Sequence, residues 1–343
     1  MHDKQTISIS GSILASQHGV ALLMVLWALT ILSVIVFSFT LMARTEAYSS
    51  ASFKAVVANR FLAEAGVERG IAEIFYRNAN KGQTTVPEGG EVVQIDGTPY
   101  TAKMGKSQYM FRIMDESGKI PLNALTDSTG VVLKNLLVNM GYQQAEADTV
   151  LDSLLDWRDQ DELHRLNGAE SEYYLSLPNP YKAKNGPLDT VEELLLVKGV
   201  TPAMLYGDGQ RKGIINYLTV YSSSNTINVN AAPKEVLMAI PGMDPDKVAA
   251  LMVQRQATAT TGTTGTQAVQ GSQGIQDLAA ILGEKLPAAG AFLGTSESSV
   301  FSIDVTGNRE GAQQGYGIRA IVTLDGNTGY RYVYYKSPAQ VEP

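Results

Sequence analysis

The chain has 343 residues, with 34 acidic against 27 basic side chains and a formal charge of -7. It contains no cysteine, which excludes disulfides, thiolate catalysis and Cys-ligated zinc. Only three histidines are present, too few for a His-rich centre, and the acidic balance lacks the concentrated positive charge that a nucleic-acid backbone requires.

Residues 20–43 read VALLMVLWALTILSVIVFSFTLMA, with no charge before Arg44. At about 1.5 Å per residue the stretch reaches roughly 36 Å, enough to cross about 30 Å of hydrocarbon. A core helix rarely lacks polar residues on every face, so the stretch predicts a single membrane span. Helical spacing continues through Phe53, Val56, Val57, Phe61, Ala65 and Ile71 to about Arg77. It predicts either one helix from 20 to 77 or two with a bend near Arg44. Segment 1–19 carries one lysine, Lys4, and runs straight into the long apolar stretch, unlike a usual signal peptide. Charge alone, with Arg44, Lys54 and Arg60 beyond the span, argues for a cytoplasmic C-terminal side.

A Gly-, Pro- and Thr-bearing stretch follows over 81–99. Residues 91–95 and 109–114 have strand composition, and Asp115-Glu-Ser-Gly118 reads as a turn. Lys119-Ile-Pro-Leu-Asn-Ala-Leu125 is echoed by Thr226-Ile-Asn-Val-Asn-Ala-Ala232. Each phrase precedes helical-looking segments: 131–140 and 145–157 after the first, 234–240 and 246–254 after the second. Between them, 188–200 predicts a helix capped by Asp189 or Thr190 and ended by Gly199. A further candidate lies at 275–282. The section 115–290 therefore reads as an all-helical insert with internal repeats, its second copy like a helix-hairpin-helix or SAM-like unit. Asp244 and Asp246 in that hairpin oppose phosphate binding.

Residues 256–274 are small and polar and predict a loop. Residues 300–306, 317–324 and 331–335 predict a three-stranded antiparallel meander with a turn at Asp325-Gly326-Asn327. It completes a sheet begun near 90–114, with the long helix packed on one face.

The densest acidic group is Asp156, Asp159, Asp161 and Glu162, with Asn167 and Glu170 beyond. Alternating carboxylates in a loop suit a hard cation such as calcium. The same pattern also suits a solvated loop whose acids are balanced by Arg158 and Arg165, with Trp157 anchoring it by packing. Nothing marks a catalytic centre: Glu192 and Glu193 are neighbours that do not face each other on a helix, His164 has no marked partner, and no G-x-S-x-G elbow occurs.

Gly19 followed by Val20-Ala21-Leu22-Leu23 resembles the processing site of type IV pilins and pseudopilins. Met24 stands where most of that class carry glutamate, and the segment GVALLMVLWALTILSVIV resembles the N-terminus of the protein K family of type II secretion minor pseudopilins. Phe61-Leu-Ala-Glu-Ala-Gly-Val-Glu68 is similar to the pseudopilin helix, and the helical repeats fit the family's plan. The resemblance implies an α+β pseudopilin fold: leader 1–19, a spine helix with transmembrane part 20–43 and periplasmic part 44–77, a sheet from 78–114 and 291–337, and an inserted helical domain over 115–290. It implies prepilin-peptidase cleavage after Gly19, methylation of the new N-terminus, and single-pass residence in the inner membrane with a periplasmic C-terminal domain. It also implies tip-subunit assembly with I- and J-type minor pseudopilins and the inner-membrane platform, and structural calcium at residues drawn from Asp156, Asp159, Asp161, Glu162 and Glu170. No enzymatic role and no nucleic-acid partner is expected. A minor pilin of a type IV pilus or DNA-uptake system is the alternative, and a membrane-tethered hydrolase the third class.

Overall fold

A computed structural model describes residues 17–79, 93–222, 224–261, 282–283, 286–310, 315–326, 329–339 and 341. The leader as far as residue 16, the fourth helix candidate up to residue 281 and Asn327 of the expected turn lie outside them. Helix α1, Gln17–Ala79, is continuous in secondary structure and takes the one-helix alternative at Arg44. It is shared between two compact units that part after Ala58.

In the first unit the apolar side chains from Val20 to Met42 are exposed, and no acid or base interrupts them. Threonine hydroxyls here are turned onto the backbone. The hydroxyls of Thr30, Thr40 and Thr45 donate to the carbonyls of Trp27, Val36 and Leu41. A hydroxyl satisfied in this way adds little cost in hydrocarbon.

In the second unit the later part of α1 packs on a five-stranded antiparallel sheet of order β1-β2-β7-β8-β9. Its strands are β1 Asp96–Met104, β2 Ser107–Asp115, β7 Val300–Asn308, β8 Tyr316–Asp325 and β9 Gly329–Lys336. The C-terminal meander is present as the alternation of residues predicts. Of the strand expected at 91–95, residues 91 and 92 lie outside the described residues and 93–95 are not in a strand: pairing begins at Asp96, where Asp96 faces Met114, and a bulge precedes Pro99. Val93 and Ile95 are buried in the core without belonging to a strand, although the Ile95 carbonyl accepts from Asp115 N at 2.8 Å. Phe111 faces Val305 and Ile113 faces Ile303 across β2 and β7, and these residues meet Ala63, Val67, Ile71 and Ile74 of α1 in one core. Two helical glycines allow that approach. A Cβ at Gly66 would lie 2.4 Å from Val305 Cγ1, and one at Gly70 2.8 Å from Ile303 Cγ2.

A second core extends from Ile120 to Ala289. Its helices are α2 Val131–Asn139, α3 Gln144–Arg158, α4 Ser171–Leu175, α5 Pro202–Tyr206, α6 Lys234–Ala239, α7 Pro245–Thr261 and α8 Leu286–Ala289. The insert is not all-helical. The pair β3 Ile120–Pro121 and β4 Leu218–Thr219 is parallel, as is the pair β5 Ile227–Asn228 and β6 Leu293–Gly294. The stretch 188–200 forms only a 3-10 helix, Val191–Leu196, with no side-chain cap at Thr190. Helix α7 runs to Thr261, into the stretch expected as loop.

The sequence echo at 119–125 and 226–232 is matched by geometry. Ile120 and Ile227 each open a two-residue parallel pair that leads into a helix pair. Arg158, ending α3, donates to the carbonyls of Leu122, Asn123 and Leu125 at 2.7, 2.6 and 3.0 Å. Arg255, on α7, donates to the carbonyls of Val229 and of Ala232, the equivalents of Leu122 and Leu125. Each guanidinium thus fastens its second helix to the turn after its own strand. The two copies meet where Asn135 on α2 donates to the Ala239 carbonyl of α6 at 2.8 Å and where Gly118 approaches the second turn, a Cβ there lying 2.7 Å from the Ala231 carbonyl carbon.

Buried polar groups join insert to sheet. Asp115, at the end of β2, accepts from Ser117 N, Asn228 Nδ2 and Ser298 Oγ at 2.9, 3.1 and 2.7 Å. Arg319 on β8 pairs with Asp304 on β7 and donates to Asn216 of the insert at 2.8 Å. Tyr334 on β9 donates to Glu192 at 2.8 Å.

Candidate cation site

The acidic group lies where α3 ends and α4 begins. The last carbonyls of a helix lend partial negative charge to that end. Asp156 is wholly buried in the last turn of α3, Asp159 is the C-cap, and Glu170 is the N-cap of α4. Carboxylate oxygens of these three residues lie within 4.8 Å of one another.

Arg165 reaches back into the group. Its Nη1 bonds Asp156 Oδ1 at 2.7 Å and Asp159 Oδ2 at 2.8 Å, and its Nε bonds Asp127 at 3.1 Å. The Arg165 backbone N–H also donates to Asp156 Oδ2 at 3.1 Å. Burial works against the Arg165 charge, but the bonds to Asp127, Asp159 and Asp156 more than reverse that and raise its pKa. Gly168 makes the fit possible, because a Cβ there would sit 1.8 Å from Asp156 Oδ2. Lys198 holds the Gly168 carbonyl at 2.9 Å.

Glu170 has no such partner. It is 4% exposed, and neither carboxylate oxygen has a hydrogen bond; Asp159 Oδ1 is also buried without one. Burial pushes the Glu170 carboxyl up to about 7, helped by the charges of Asp156 and Asp159. Burial also raises Asp156, though Arg165 opposes it. Three convergent carboxylates with three unused buried oxygens fit a hard cation, which accepts oxygen ligands in flexible geometry.

The other expected ligands face elsewhere. Asp161 Oδ1 accepts from Leu163 N at 2.8 Å. Glu162 accepts from Ser171 Oγ and Asn185 Nδ2 at 3.0 and 3.1 Å, bonds that lower its pKa. Asn167 donates to Asp152 at 3.0 Å. Arg158 turns its Nη donors to the three carbonyls above and not to the acids. Trp157 does anchor the region, with Nε1 on Glu193 at 2.9 Å and its ring edge-on to Tyr174 at 5.1 Å. Asp127 and Asp152 belong to this surface through contacts that no local spacing in the sequence announces.

At the hairpin of the second copy, Gly242 takes φ +85° and Asp244 Oδ1 accepts from Lys247 N at 3.0 Å. Lys247 Nζ also pairs with Asp244. The first amides of α7 therefore have an internal acceptor.

The sequence model described as Type II secretion system (T2SS), protein K matches residues 118–206, which contain the first repeat and the whole acidic group. Type II secretion system protein K of Klebsiella pneumoniae is 29% identical over 203 residues, covering 55% of this chain and 60% of that protein. The protein of the same name from Pectobacterium carotovorum subsp. carotovorum is 35% identical over 69 residues, 20% of this chain and 21% of that one. The matches therefore span less than two thirds of these relatives. The crystal structure of the GspK-GspI-GspJ complex from enterotoxigenic Escherichia coli contains a chain similar in fold, with TM-score 0.56 and 14% identity, covering 87% of this chain and all of that one.

An apolar N-terminal helix, an antiparallel sheet and mixed helical content make this a pseudopilin fold. Within that class, the chain is similar to the protein K family of the type II secretion system, whose sequence model matches residues 118–206.

Proposed function

We propose that the chain is a minor pseudopilin at the tip of a type II secretion pseudopilus, where it nucleates or caps the filament during protein export. The observation that carries this reading is a charge-free apolar helix, with Met24 at the fifth place after Gly19, leading into a pseudopilin sheet. A carboxylate inside hydrocarbon is expensive without a partner. A chain with methionine there inserts without a subunit ahead of it, as a tip subunit must. The role is assembly and not turnover, with I- and J-type minor pseudopilins as partners; the GspK-GspI-GspJ complex of the similar structure supports that choice. The comparisons do not favour the type IV pilus alternative.

In this reading a prepilin peptidase cuts between Gly19 and Val20, the new N-terminus is methylated, and residues 20–43 hold the chain in the inner-membrane bilayer beside the secretion platform. The later residues occupy the periplasm. Asp156, Asp159 and Glu170 hold a structural calcium ion, with Arg165 giving up part of its contact when the ion binds. Co-purification with the I- and J-type subunits of the same system tests the function. A stable complex, together with loss of export when the chain is deleted, is expected; unimpaired export overturns it. Mass spectrometry of the mature chain should find Val20 first, and retention of 1–19 overturns the processing step.

A further inference from the structure

The 159–170 loop carries two leucines that the cation site does not use. Leu166 is 94% exposed and Leu163 79% exposed. No other described large apolar side chain is as exposed, those of α1 included. A single exposed leucine needs no explanation. These two are unusual because the backbone that carries them is fixed. Leu163 N–H is bonded to Asp161, Arg165 is clamped by Asp127, Asp156 and Asp159, and Asn167 N–H and Nδ2 are both held by Asp152. Glu162 is tied to Ser171 and Asn185. An apolar pair displayed on a rigid frame loses little entropy when a partner covers it, which is the property of a binding hot spot.

We propose that Leu163 and Leu166 form a preorganised knob that inserts into an apolar pocket of a protein partner whose rim is lysine- and arginine-rich. The rim follows from charge. Asp127, Asp161 and Glu162 are exposed around the loop, and Arg165 is the cation bonded within the acidic group. The same acids repel an anionic lipid surface, so the partner is a protein and not the membrane. The knob rests on the secretion reading only for the setting in which the partner is met.

The test uses the full chain in cells exporting through the system, with photoreactive benzoylphenylalanine at position 163 or 166. Both positions should crosslink to the same protein, at a peptide lining an apolar pocket bordered by basic residues. Asp161→Asn, which keeps the acceptor for Leu163 N–H but removes the charge, should lower adduct yield several-fold. Leu163→Ser with Leu166→Ser should lower export about tenfold or more, with the melting temperature and I- and J-type co-purification unchanged. Adducts to phospholipid alone, the absence of a protein adduct, or full export by the double serine variant each overturn the knob. Loss of co-purification by the native chain would instead overturn the assembly reading.

Discussion

Glu170→Gln separates a cation site from a merely acidic loop. The Glu170 carboxyl is held at about 7 against an ordinary 4.5, because it is buried beside Asp156 and Asp159. At about 1.36 kcal/mol per unit, the ionised group costs the metal-free fold roughly 3 kcal/mol. Below 4.5 the carboxyl is protonated in both folded and unfolded chains, so no cost arises. Between 4.5 and about 7 the folded chain holds the proton more tightly, and stability falls as pH rises. Above that window the full cost is present. Because pH 5 already lies inside that window, the difference between pH 5 and pH 8 is about 2.5 kcal/mol, and in EDTA a fold of this size should melt roughly 4–5 °C lower near pH 8 from this group alone. Glu170→Gln should flatten that difference while stabilising the protein near pH 8. Calcium should reverse the wild-type loss near pH 8, adding about 2.7 kcal/mol at a hundredfold excess over Kd, and should do far less for the variant. Parallel melting profiles of the two proteins in EDTA would refute the unpaired buried carboxylate. Equal stabilisation of both by calcium would refute Glu170 as a ligand.

Arg165→Gln leaves wholly buried Asp156 without its cation and should destabilise the metal-free protein by about 3–5 kcal/mol; calcium should restore much of that, read by denaturant unfolding. Arg158→Met orphans three carbonyls and should cost about 2–4 kcal/mol, with Arg255→Met costing less because it holds two; a cost confined to one of them by the same measurement would break the equivalence of the repeats. Gly66→Ala forces a methyl against Val305 and Tyr109 and should lower stability by about 1–3 kcal/mol, whereas helix propensity alone would raise it, so the sign of the melting shift decides.

Much of the fold was legible because its signals are local. The charge-free run after Gly19 and the alternation in 300–306, 317–324 and 331–335 each report a single element. The role of Gly66 and Gly70, letting Val305 and Ile303 close on α1, depends on strands more than two hundred residues later. Strand β1 was missed because DGTPYTAKM mixes Gly, Pro and Lys, and a half-exposed edge strand shows no apolar alternation. The stretch 188–200 looked helical from Leu194-Leu-Leu, yet it forms a 3-10 turn whose acids are claimed from outside: Glu193 by Trp157 and Lys184, Glu192 by Tyr334. Within the site, the acids were visible and their grouping was not. Asp161 and Glu162 are nearest in sequence to Asp159 and still turn to other donors. Glu170 joins because α4 begins there, and Arg165 balances the acids as its charge suggests, from within the group.

The repeat explains why, among the described residues, the acids gather at the end of the first copy. Aligning Arg158 with Arg255 places Asp156 opposite Val253 and Asp159 opposite Gln256. Both copies keep the arginine, since both must fasten a helix to the turn that follows a short strand. In the second copy the sequence neighbours of the arginine are Gln254 and Gln256, and Val253 is exposed at the position where Asp156 is wholly buried. The first copy carries the long 159–170 connection, and that loop folds back over its helix end and brings Arg165, Gly168 and Glu170 to the two aspartates. The arginine strut is thus the shared structural element, and the acidic site is an addition that depends on the loop. Shortening the loop should remove the cation response and leave Arg158 in place, whereas removing Arg158 should weaken the repeat with or without calcium.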